Sequence, residues 1–183
     1  MLKEKNILLG VTGGIAAYRA CDLLRDLMKE GASVRVMLTA SAARFVPPLT
    51  FRTLTGYEAN TDLFETPPPG QVLHIDLAKW ATLVLIAPAT ANCIGKIASG
   101  IADDLLTTTV MALPQKTPVA FAPAMNVEMW RNPIVQKNVE FLRSLGKYHI
   151  IQPSEGLLAC GDVGEGKIAE NVAIVEAVRG ILK

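Results

Sequence analysis

With 183 residues, half of them hydrophobic and 19% charged, the chain can bury one full core and is too short for two ordinary ones, so a single domain over residues 1–183 is expected. A formal net charge of +1 without a Lys/Arg cluster excludes the electrostatic footprint of a nucleic-acid or anionic-membrane binder and points to a small-molecule site. Cys21, Cys93 and Cys160 form no CxxC pair, which argues against a disulfide framework or a metal site; with no signal peptide or membrane span in the pattern, the expected compartment is cytoplasmic.

From the N-terminus, Asn6 to Val11 (NILLGV) is an apolar run ending in Thr12-Gly13-Gly14, and Ile15 to Glu30 then carries apolar residues at helical spacing. This predicts strand, glycine turn, helix. Gly31 stops that helix, and Ser33 to Leu38 is a second strand ending in Thr39-Ala40-Ser41, which completes a βαβ unit. Pro47 to Gln71, with Thr66-Pro67-Pro68-Pro69-Gly70 inside it, predicts an irregular surface excursion. Apolar strands recur at Leu83 to Ala87, Val119 to Ala122 and Tyr148 to Ile151, and helical patterns cover Ile94 to Ala112, Ile134 to Leu145 and Val172 to Leu182. Strands apolar on both faces and separated by helices predict an α/β fold: a Rossmann-like (flavodoxin-like) doubly wound parallel sheet in three α/β/α layers, with ligands at the carboxyl ends of the strands.

The first strand-to-helix turn, Gly10 to Ala17, offers backbone N–H groups and a helix dipole to a phosphate. It lacks the full GxGxxG spacing, and Thr39 stands where a dinucleotide fold carries a ribose-binding acid, so a mononucleotide suits it better. Glycines serving only a tight turn are the plainer alternative. In Pro88-Ala-Thr-Ala-Asn-Cys93, Thr90 either simply caps a helix or joins Asn92 at the ligand edge. Asn126, between Met125 and Met129, either caps a helix or presents an amide to a carboxylate within an apolar wall of thioethers. His74 is either a hydrogen-bonded structural residue or a general base, histidine being the side chain that titrates near neutrality. His149, at the start of a strand that reads as buried, is taken as structural. Gly156 to Gly166 reads as a mobile glycine-rich flap exposing Cys160 as an acid or nucleophile, whereas Cys21 and Cys93 lie in helical patterns as small core residues.

Taken in order, TGGIAAY, HIDLAKWA, PATANC, PAMNVEMW and LLACGDVGEGKIAE resemble the homo-oligomeric flavin-containing cysteine decarboxylase family over essentially the whole chain. The resemblance implies FMN-dependent decarboxylation of 4′-phosphopantothenoylcysteine to 4′-phosphopantetheine in coenzyme A biosynthesis. This is a carbon–carbon lyase activity in which the thiol is oxidised to a thioaldehyde, CO2 leaves and the product is re-reduced. It implies that Gly13, Gly14, Ile15, Thr39 and the turn of Thr90, Ala91, Asn92 and Cys93 hold the FMN phosphate and ribityl chain, with the isoalloxazine near Ala124 and Phe45. It also implies His74 as the active-site histidine, Cys160 as proton donor, Asn126 as carboxylate binder beside Met129, and Leu157, Leu158 and Ala159 as flap residues. The implied partners are the small-molecule substrate, further copies of the chain in a trimer or dodecamer, and a phosphopantothenoylcysteine synthetase domain, which many bacteria fuse to this one.

Two segments depart from the family pattern. PATANC stands where PASANT is common, placing Thr90 for Ser and Cys93 for Thr, and Gly166-Lys167-Ile168 replaces the GRM that often follows the flap. The nearest alternative is a decarboxylase of C-terminal peptide cysteines of the lantibiotic type, against which the ACGD flap argues. Flavin prenyltransferases share the fold, and a non-catalytic flavoprotein regulator of a phosphatase would typically carry a long acidic tail.

Overall fold

The computed structural model describes residues 1–65, 70–157, 161 and 163–183. In chain order these form β1 (Asn6–Val11), a 3-10 turn (Ile15–Tyr18), α1 (Arg19–Lys29), β2 (Ser33–Leu38), α2 (Ala40–Ala43), α3 (Pro48–Thr55) and β3 (Ala59–Asn60). There follow α4 (Leu73–Trp80), β4 (Leu83–Ala89), α5 (Ala91–Ala98), α6 (Leu105–Met111), β5 (Val119–Pro123), α7 (Val127–Arg131) and α8 (Pro133–Ser144). The chain closes with β6 (Tyr148–Ile150), β7 (Ser154–Leu157), β8 (Val163–Lys167) and α9 (Asn171–Ile181).

Period-two alternation sorts the strand side chains into two cores. Ile7, Leu9 and Val11 of β1, with Leu83 and Leu85 of β4, pack under α1, α3 and α9, while Leu8, Val84 and Ile86 pack under α4, α5, α6 and α8. Each full burial of such a side chain contributes about 1.5–3 kcal/mol, and both faces of the sheet have to be covered to collect it. The result is the three-layer α/β/α sandwich expected from the apolar strands. Its sheet is parallel, in the order β3-β2-β1-β4-β5-β6. That is the Rossmann order. Because β3 has only two residues, the five longer strands taken alone have the flavodoxin order, so both parts of the predicted fold class hold. The strand order reverses between β1 and β4, and a crevice opens at their carboxyl ends.

Three sequence expectations need correction. The segment from Pro47 to Gln71 is not irregular throughout: Pro48 opens α3, whose Phe51 is fully buried against the first core, and β3 adds an edge strand. The single helix expected from Ile94 to Ala112 is two, because Gly100 takes a left-handed φ of 70° and Asp104 starts α6 with a capping box to Thr107. Finally, β6 is the sheet's edge strand and His149 on it is half-buried rather than buried. Among the described residues no helix is long and apolar enough to cross a membrane.

Candidate active site

A cavity of about 640 Å³ lies at the switch point, within the range of small-molecule sites. Its floor is the turn Gly13-Gly14-Ile15, where the helical stretch through α1 begins and its first N–H groups have no intrahelical acceptor. Gly13 has no room for a side chain, since a Cβ there would collide with Ser41 at the start of α2. The two turns of the crevice are tied by Thr12, a buried residue that the motif reading passed over. Its Oγ1 donates to the Pro88 carbonyl (2.7 Å) and accepts from the Thr90 N–H (3.0 Å). Thr90 in turn caps α5 by accepting from the Cys93 N–H (3.4 Å).

The opposite wall comes from the β5–α7 junction. Ala124 N–H donates to Ala89 O (3.1 Å) and Met125 N–H to Gly166 O (3.0 Å), so this loop is stitched to β4 on one side and to β8 on the other. Asn126 then caps α7, its Oδ1 accepting from the Glu128 N–H at 2.8 Å. Gly166 packs so closely that a Cβ would strike Met125 O, and its φ of 144° suits glycine alone. Gly166→Ala is therefore expected to cost about 1–3 kcal/mol of stability. A urea midpoint equal to that of the parent would contradict this.

Beyond Gly166, charge closes the rim. Arg19, on the first turn of α1, donates to Ile168 O (3.2 Å) and pairs with Glu170 (2.7 Å), which Lys167 also engages (3.1 Å). The hydrogen bonds from Lys167 and Arg19 hold the Glu170 carboxyl below its ordinary range. Sequence reading missed Arg19 and Glu170, which lie 151 positions apart and carry no motif.

Of the residues singled out in the sequence, Gly13, Gly14, Ile15, Thr90, Ala91, Ala124, Asn126 and Met129 line this cavity, whereas Thr39, Phe45, His74, Asn92 and Cys93 do not. Thr39 caps α2 through the Ala42 N–H, beside the Gly13 turn, and Phe45 is half exposed beyond α2. Asn92 is exposed in the first turn of α5. Cys93 points into the second core, where burial pushes its thiol up to about 12, so it is a neutral packing residue. His74 sits half-buried in the first turn of α4, apart from the cavity of its own chain. Leu158, Ala159 and Cys160 lie outside the described residues, as does the side chain of Leu157; the backbone on either side of them forms the antiparallel β7–β8 ribbon.

A family model described as Flavoprotein matches residues 1–183. The chain belongs to that family. This flavoprotein is 52% identical over 176 residues to the coenzyme A biosynthesis bifunctional protein CoaBC of Bacillus subtilis, an alignment covering 96% of the chain and 43% of the relative. It thus spans less than half the length of that relative. It is 44% identical to a probable phosphopantothenoylcysteine decarboxylase of Streptococcus mutans, covering 95% of the chain and 97% of the relative. Among solved structures, a PPC decarboxylase mutant complexed with pantothenoylaminoethenethiol superimposes with a TM-score of 0.85 at 35% identity, covering 97% of both chains.

Proposed function

We propose that this flavoprotein binds FMN at the switch-point cavity and decarboxylates 4′-phosphopantothenoylcysteine to 4′-phosphopantetheine in the cytoplasm, in step with a phosphopantothenoylcysteine synthetase activity. The observation that carries the reading is the convergence, in one cavity, of the helix-start turn Gly13-Gly14-Ile15 and a capping asparagine, Asn126. The turn suits a phosphate, and Thr39, which caps α2 where a dinucleotide fold has its ribose-binding acid, favours a mononucleotide over a dinucleotide. The Streptococcus mutans relative, matched nearly end to end, and the pantothenoyl ligand of the structural neighbour support this substrate over a peptide.

Bound FMN would supply the two-electron acceptor for the substrate's CH2–SH group and later return the hydride, which lets CO2 leave without an unstabilised carbanion. The protein's part is orientation and proton transfer. With Oδ1 of Asn126 committed to the α7 cap, the other terminal atom of the amide is a donor, the polarity a carboxylate requires. Met129 adds an apolar wall. In this reading His74 takes a proton from the substrate and Cys160 returns one to the product.

The same reading calls for an oligomer, a trimer or four trimers in a dodecamer. Ile15 (60% exposed), Tyr18 (62%) and Met129 (49%) leave the cavity with an apolar rim that another copy would cover, and His74 would then reach a neighbour's cavity. Tyr18→Asp, which puts a charge on that rim, is expected to shift the mass from oligomer to monomer by light scattering and to release flavin. Unchanged mass would remove Tyr18 from the contact. The function itself is tested by anaerobic mixing of the flavin-loaded protein with 4′-phosphopantothenoylcysteine or with a peptide ending in cysteine. CO2 release from the first with only slow release from the second is expected; the reverse preference, or none from either, overturns the proposal.

A further inference from the structure

We infer a second ligand site at the opposite, amino-terminal edge of the central sheet, built to take the phosphates of a diphosphate-bearing small molecule. A cavity of about 380 Å³ opens there among Thr82 before β4, Gln115 and Lys116 before β5, Lys147 and His149 around the start of β6, and Lys183. Strands of this length set it about 20 Å from the flavin cavity, so the two sites do not share residues. The inference stands independently of the proposed activity.

Charge identifies the ligand class. Among the described residues the lining contains three lysines and no aspartate or glutamate, and none of these lysines belongs to an ion pair. Cations of one sign gathered in a concavity repel one another, and a polyanion is the ligand that relieves this.

Lys147 is the anchor. It is half-buried, and its Nζ donates to Leu113 O at 3.2 Å, which uses one of the three ammonium donors and leaves two. Burial holds its pKa below that of an ordinary lysine, so the ammonium lacks part of the solvation that an arriving anion would replace. Thr82 Oγ1 accepts from the Asn6 N–H (3.1 Å), and its rotatable hydroxyl proton can donate to a ligand. Gln115 adds an exposed amide. The positive charges of Lys116 and Lys147 and the neutral donors, in a space larger than one phosphate, match a diphosphate better than a single phosphate or a carboxylate.

The test is isothermal titration of the flavin-loaded protein with sodium pyrophosphate, at ionic strength matched with sodium chloride. One saturable event per chain is expected, with the flavin spectrum unchanged. Lys116→Gln, on an exposed loop that packing does not constrain, should weaken the affinity about fivefold, and adding Lys147→Gln about as much again. Where Lys147→Gln does not fold, Lys116→Gln paired with Thr82→Val replaces it. No saturable heat, heat that vanishes once ionic strength is matched, or an affinity that survives the paired substitutions overturns the site.

Discussion

His74→Asn should leave flavin content and oligomer mass unchanged while slowing substrate oxidation by about 10²–10⁴-fold, the usual worth of a positioned general base. Asparagine is close in size to histidine at the ring's first atoms, and the position is only half-buried at a helix start, so folding has little to lose. The measurement is anaerobic bleaching of the flavin on mixing with 4′-phosphopantothenoylcysteine. Undiminished bleaching would remove the histidine from the reaction. Because His74 stands apart from the cavity of its own chain, a second readout is available. Dissociating and remixing His74→Asn with Asn126→Asp should restore part of the activity, since mixed oligomers regain sites with both residues intact. No recovery would mean that both act within one chain.

Asn126→Asp carries the other large effect. Aspartate caps a helix as well as asparagine does, so the 2.8 Å bond to the Glu128 N–H and the stability of α7 should survive. What changes is the sign presented to the substrate. A carboxylate meeting a carboxylate at about 4 Å near a protein surface is worth on the order of 4 kcal/mol, so kcat/KM should fall about 10³-fold. Asn126→Ala, by contrast, should lose about 1 kcal/mol of stability with the cap and a smaller share of activity. Steady-state kinetics and a denaturation curve on both variants check this. Near-normal turnover in the aspartate variant would move the carboxylate site elsewhere.

The layer architecture was legible because it rests on strands apolar on both faces, and β1 and β2 have the boundaries their apolar runs predict. The turns that form the crevice were legible for a similar reason: glycine, proline and capping residues announce themselves locally. Two errors came from the same local reading. The run Thr66-Pro67-Pro68-Pro69-Gly70 led the whole stretch from Pro47 to be read as irregular, although Pro48 stands at the first turn of a helix, where proline is favoured, and Phe51 supplies the buried face that stabilises α3. The apolar run through Ile94 to Ala112 masked Gly100 and the Asp104 cap that divide it. The rest of the site is long-range. Arg19 meets Glu170 only because α9 folds back onto α1, and no pattern in either segment encodes that pairing. The placement of His74 apart from its own cavity is likewise a property of where α4 crosses the sheet.

The β5–α7 loop works as a splice. Its consecutive N–H groups, on Ala124 and Met125, hold β4 and β8 respectively, and the next residue is Asn126. The β7–β8 ribbon therefore cannot lift from the crevice without either breaking the Met125–Gly166 bond or dragging on the backbone that aims the asparagine. Ribbon position and the placement of Asn126 are one mechanical variable, so a spectroscopic label at Val163, 77% exposed on the ribbon, reads out both.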